Sequence, residues 1–190
     1  MKKALLMLSG AALILGMSSF MPIKTKKPAT TLTVNAEKSR IDWVAAKKTD
    51  FHTGYFPIKS GTVNVEDGKI TGGKFVIDLA NLKVTDPGGG DGLTGHLKRA
   101  DFFDVEKFNE AVYEISSVNY TSDATADISG NLTLKGVSFP VKIAAQVRGA
   151  GAQGLFAQSF VNLDRTLIGI TYGVGNVAKD VQLAIHLFAK

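Results

Sequence analysis

The chain contains no cysteine. That excludes a disulfide framework, a thiolate metal site and a cysteine nucleophile, and it leaves burial of apolar surface as the source of stability. Three histidines are present, His52, His96 and His186, with no His-x-x-x-His spacing, so the pattern of a zinc site is missing and no metal is expected. No Gly-x-Ser-x-Gly elbow occurs, and the glycines at 88–90 are not followed by Gly-Lys-Ser/Thr, which removes the common nucleophile and phosphate-loop signatures. The long apolar run is residues 4–17, short for a membrane span.

An excess of charge is also missing from the body of the chain. The 22 basic residues outnumber the 17 acidic ones, but Lys2, Lys3, Lys24, Lys26 and Lys27 account for the whole difference. From residue 28 onward the balance is neutral, which leaves no electrostatic footprint for nucleic acid. Met1-Lys2-Lys3, the apolar run and Ser18-Ser19 have the order of a secretory signal peptide, expected over residues 1–19, with an uncleaved anchor as the alternative. No cysteine follows the run, so the protein is expected in the periplasm or secreted and not as a lipoprotein. Residues 20–35, basic and then Pro/Thr-rich, read as a tether, and 36–190 as one domain.

What is present in quantity is alternation. Ala126, Ile128, Gly130, Leu132 and Leu134 share one face of 125–135; Phe139, Val141, Ile143, Ala145 and Val147 share one face of 139–148; Val181, Leu183, Ile185, Leu187 and Ala189 do so in 180–189. Period two over such lengths means strands with one wet and one apolar face. Ile41, Trp43 and Ala45, then Phe75, Ile77 and Leu79, then Tyr113 with Ile115 extend the pattern, and Asp67-Gly68 marks a hairpin turn. The fold class that follows is all-β, an antiparallel sandwich or barrel. Residues 86–92 read as a flexible loop. Residues 93–108 lack strand alternation and predict a short helical insertion, with Asp101 placed to cap its second turn.

A barrel of about eight strands either fills itself or holds one small ligand. Ala45, Ala126, Gly130, Ala145, and either Ala157 with Ser159 or their neighbours, share the inward faces and leave room there. The carboxylate pairs Asp101 with Asp104 and Asp164 with Asp180 are candidate acid/base partners, although caps and turns explain such residues equally.

The segment Gly95-His96-Leu97-Lys98-Arg99-Ala100-Asp101-Phe102-Phe103-Asp104-Val105-Glu106-Lys107-Phe108 resembles the central motif of the YceI-like polyisoprenoid-binding family. Two further stretches agree in order and spacing: Gly130-Asn131-Leu132-Thr133-Leu134-Lys135-Gly136-Val137 with Pro140-Val141, and Asp164-Arg165-Thr166 with Gly169-Ile170-Thr171-Tyr172-Gly173 and Lys179-Asp180-Val181. The resemblance implies a lipocalin-like, extended antiparallel barrel of about eight strands with an apolar tunnel for a long amphiphile: a polyprenyl chain, a quinone-like lipid or a fatty amide. Asn109 stands where many members carry proline, and the triple glycine enlarges the preceding loop.

On that basis the expected function is a carrier or storage protein without catalysis, with the lipid as its ligand and no cofactor. Trp43, Phe75, Ile77, Tyr113, Ile115, Leu132, Leu134, Val141 and Ile143 are the candidate lining. Phe102, Phe103 and Tyr172 are placed near its mouth, with His96 and Arg165 as headgroup partners. Burying ten methylenes yields about 8 kcal/mol gross, enough for micromolar affinity. The rival readings are an accessory to a membrane redox protein, a lipid-ester hydrolase acting through His96, and a filled structural barrel. Transient membrane contact and a homodimer are the partners kept open.

Overall fold

The computed structural model describes residues 29–151 and 154–190; the expected signal peptide and most of the expected tether lie outside the described residues. The strands in chain order are β1 (Thr30–Thr33), β2 (Arg40–Lys47), β3 (Asp50–Glu66), β4 (Lys69–Asp78), β5 (Lys83–Val84), β6 (Glu110–Tyr120), β7 (Thr125–Leu134), β8 (Val137–Gly151), β9 (Gly154–Asp164) and β10 (Val177–Ala189). One helix, α1 (Gly90–Leu97), and a 3₁₀ turn (Arg165–Ile168) complete the elements.

Eight strands form a closed antiparallel meander in the order β2-β3-β4-β6-β7-β8-β9-β10, with β10 returning to β2. The long strand β3 makes the closure: its first half pairs with β2 and β5, its second half with β4 and β1. β1 belongs to the fold, which corrects the expected tether boundary at residue 35. Leu32 and Val34 enter the core, and the Thr33 and Asn35 amides donate to the carbonyls of Lys190 and Phe188. β1 and β2 thus act as one stave interrupted by the excursion at 35–39. The buried Ser39 hydroxyl accepts from Phe188 N (2.9 Å) across the interruption.

Side chains follow the period-two expectation where the ladders are regular. In β7, Ala126, Ile128 and Leu134 are buried; in β9 the inward set is Leu155, Ala157 and Ser159, leaving Phe160 in solvent. Register shifts at Ile58/Ser60 and Ile115/Ser117 exchange the faces of β3 and β6 midway. Val63 and Val65 therefore point inward after Ile58, and Val118 and Tyr120 pack on the core after Ile115. Gly130 faces the Tyr113 ring; a Cβ there would lie 2.5 Å from Glu114 O and 2.6 Å from that ring, so only glycine fits.

In this up-and-down order alternate connections share an end. The turn at 48–49, the insertion at 79–109, the turn at 135–136 and the loop at 165–176 all stand at one end. They cap it with buried Leu79, Leu82, Ile168 and Ile170, and with Phe102, Phe103 and Val105 packed on the core. The insertion departs from expectation in two ways. Its helix begins at Gly90, inside the stretch read as a flexible loop, because the Thr94 hydroxyl donates to Gly90 O (3.0 Å) and accepts from Val84 N (3.3 Å), tying the turn to β5. And Asp101 is bound to the His96 ring, Nε2 to Oδ2 2.8 Å, instead of capping a second helical turn.

Lys135, in the β7–β8 turn, fixes the insertion to the barrel: its ammonium donates to Ala100 O (2.8 Å) and Phe102 O (2.6 Å). Lys135→Met is expected to cost about 1–2 kcal/mol and to raise amide exchange over 98–108 while the amides of β7 and β8 keep their protection. Hydrogen-exchange mass spectrometry with a denaturant titration checks both.

Candidate functional site

The inward faces enclose an elongated cavity of about 130 Å³. It runs between Ile70 and Leu187 toward one end and Leu132 and Leu163 toward the capped end, and the surface it presents is apolar. Its volume is near that of an apolar cavity that admits one benzene, about 150 Å³, and below the roughly 300–1,000 Å³ of drug-sized sites. A group of isoprene size fits as the side chains stand; a longer chain has to part them along the axis.

Phe75, Ile77, Tyr113, Ile115, Leu132, Val141 and Ile143 line this cavity, together with residues outside the expected lining, notably Ile41, Val161, Leu163, Leu183 and Ile185. The missed members of β10 carried the same alternation and could have been taken from it, whereas β9 has apolar residues on both faces, so its sequence left the inward face open between Ala157 with Ser159 and their neighbours. Trp43 and Leu134, also expected in the lining, are buried but outside it. Leu134 ends β7 at the capped end. Trp43 is packed beside Phe56 (ring centroids 6.3 Å), and Phe56 meets Phe103 of the insertion edge-on at 5.5 Å. Gly54 makes room for the indole, since a Cβ there would come within 2.4 Å of it.

The polar groups on the inward side are almost all committed. The Tyr113 hydroxyl donates to Val141 O (3.1 Å), and Ser159 Oγ donates to Ala144 O (2.7 Å). Tyr120 accepts from Ile70 N (2.8 Å). Among the described residues, the Trp43 indole nitrogen is the one buried side-chain polar atom given no hydrogen-bond partner.

None of the five headgroup and mouth candidates lines the cavity. His96, Phe102 and Tyr172 form an aromatic cluster with centroids 4.7–5.2 Å apart, which joins the insertion to the loop at 165–176. Phe103 packs inward on Phe56. Arg165 is buried, and its guanidinium donates to Ile170 O (2.8 Å), Ala178 O (2.9 Å) and Val177 O (3.1 Å). Burial pulls its pKa down, opposed by the neighbouring Asp164. The cation expected for a headgroup is therefore used to fasten the loop to β10.

The histidines lie apart, each with an aspartate. His52 Nδ1 is 2.9 Å from Asp86, His96 is paired as above, and His186 Nε2 is 3.6 Å from Asp42. Hydrogen bonds from His52 and then the Thr53 amide hold the Asp86 carboxyl below its ordinary range, and the bond from His96 lowers Asp101. Asp164 and Asp180 are cross-strand partners, yet Asp164 caps the 3₁₀ turn, accepting from Thr166 N (2.8 Å) and Thr166 Oγ1 (2.6 Å). Among the described residues no three His, Asp or Glu side chains converge as metal ligands.

A closed eight-stranded antiparallel barrel with a carbon-lined interior, capped at one end, is a lipocalin-like fold. Residues 32–189 match the YceI-like domain, and the chain belongs to that family. A UPF0312 protein of Ectopseudomonas mendocina is 37% identical over 97 residues, 48% of this chain and 51% of its own length. Protein YceI of Salmonella arizonae is 35% identical over 99 residues, 48% and 50% respectively. The matches span about half the length of these curated relatives. Among solved structures, BcnA of Burkholderia cenocepacia has the same fold, with a TM-score of 0.71 at 22% identity over 83% of this chain and 99% of that one. A polyisoprenoid-binding domain from Saccharophagus degradans gives 0.68 at 19%, over 84% and 97%.

Burial pushes the Tyr113 phenol up to about 12 and raises Tyr120 as well. The folded state then keeps a proton that the unfolded chain releases near pH 10, so the barrel is expected to lose stability as pH rises from about 10 toward 12. Spectrophotometric titration of the four tyrosines checks this. Part of the phenolate absorbance should lag to about pH 12, and Tyr113→Phe should remove the slowest step.

Proposed function

We propose that this protein is a non-catalytic carrier or store for a long-chain isoprenoid-type lipid, exported to the periplasm and holding its ligand inside the barrel. The observation that carries the reading is the interior itself: an elongated cavity with an apolar surface, whose polar neighbours Tyr113 and Ser159 are already bonded to backbone carbonyls. Such a site selects for chain length and thickness more than for polar pattern, because each buried methylene contributes about 0.8 kcal/mol. The polyisoprenoid-binding domain with the same fold supports the choice of ligand class.

Contact with a membrane during loading is part of the proposal. Phe51, Leu167, Tyr172 and Val174 are large apolar side chains left in solvent, and all four belong to the connections at the capped end or border them. A rim of that kind suits brief insertion among lipid headgroups and acyl chains.

Delipidated protein incubated with vesicles containing a polyprenyl alcohol should withdraw it, and the lipid should co-elute with the protein on gel filtration. Ala157→Phe places a ring in the lining and should abolish uptake at a stability cost of about 1–3 kcal/mol, with the β-sheet circular dichroism retained. Leu167→Ser with Val174→Ser should slow uptake several-fold without lowering its plateau. Undiminished uptake by folded Ala157→Phe would place the lipid outside the barrel.

A further inference from the structure

We infer that the Trp43 indole N–H is the donor that receives the polar end of the lipid, so that the ligand carries an oxygen acceptor and enters with that oxygen toward the capped end of the barrel. The inference rests on the carrier reading above and deepens it.

Trp43 stands on the inward face of β2. Its neighbour two residues back, Ile41, lines the cavity, and so does its cross-strand partner on β10, Leu183. It is therefore the next inward position beyond the lining, on the side of the insertion, with Phe56 and Phe103 continuing toward the cap. The side chain is only 4% exposed, and its Nε1 has neither a protein acceptor nor access to solvent. Buried donors are nearly always bonded, and an orphan is a standing loss of free energy that an incoming acceptor recovers.

Elimination points to the same atom. Tyr113, Ser159 and Ser39 spend their hydroxyls on backbone carbonyls. Arg165 gives all three guanidinium nitrogens to carbonyls of its own loop and of β10. His96 is turned to Asp101 and Tyr172 on the outer side of the cap. Gln158 holds the alternate, outward position between inward Ala157 and Ser159, and the Tyr120 hydroxyl lies at the far end against Ile70 N. Toward the cap, the Trp43 N–H, which donates and never accepts, is the buried side-chain group without a partner among the described residues, one inward position beyond the lining. Its complement is a carbonyl, ether or alcohol oxygen at the end of a hydrocarbon chain; a bare polyene leaves the donor unsatisfied.

Trp43 is the only tryptophan in the chain, so its indole gives one assignable resonance. The test titrates ¹⁵N-labelled full-length protein with three probes of the same C20 chain: geranylgeraniol, its methyl ether, which accepts but cannot donate, and the hydrocarbon without oxygen. The alcohol and the ether should move the Nε1 proton downfield and the hydrocarbon should not. Trp43→Phe should weaken the ether about tenfold while leaving the hydrocarbon within about twofold. If the three probes shift the resonance alike in the native protein, or if Trp43→Phe weakens all of them equally, Trp43 is only a wall of the barrel and the inference fails while the carrier reading stands. If none of the probes binds the native protein, the carrier reading fails with it.

Discussion

Closure of the sheet through β3 is the constraint on which everything else depends. That one 17-residue strand is paired along both edges, to β2 and β5 at one end and to β4 and β1 at the other. With the ring closed, every barrel strand has a neighbour on both sides, although the β8–β9 ladder stops at Ala145/Ser159, and each side chain has two destinations, water or the interior. An apolar residue on every second position then produces a carbon-lined core without further instruction. The register shifts at Ile58/Ser60 in β3 and Ile115/Ser117 in β6 each exchange inside for outside.

The cap is the second consequence. Connections at one end of a meander stand together whatever their sequence, but here they are bound to one another by charged side chains that donate to main-chain carbonyls: Lys135 to the insertion, Arg165 to the 165–176 loop and β10. His96, Phe102 and Tyr172 join the two loops through ring contacts. The residues by which the family is recognised are thus largely those that build the cap. Their presence says which barrel this is more directly than it says what the barrel holds.

Much of the fold is legible in the sequence. The alternation over 125–135, 139–148 and 180–189 appears as β7, β8 and β10 with the inward faces as read. β1 escaped because Thr30–Thr33 is only four residues long and follows a Pro/Lys-rich stretch. Its strand character comes from Leu32 and Val34 meeting the far end of β10 and the bend of β3, a long-range event. The shifts in β3 and β6 were invisible for the same reason, since a bulge is a relation between two strands. The site was half legible. Alternation identifies which residues face inward, so the aliphatic lining followed. It carries nothing about which polar atoms on that side are already bonded, and so Arg165 looked like a headgroup cation while Trp43 looked like one more apolar wall.

Native mass spectrometry of the protein purified from its own cells, followed by lipid extraction of the same sample, tests the central claim most directly. A bound hydrophobic molecule bearing oxygen, released on unfolding and reloaded from the extract by delipidated protein, is the predicted result. A protein that arrives at its bare polypeptide mass, and whose delipidated form takes nothing from the extract, would contradict the account and leave the barrel a filled structural module.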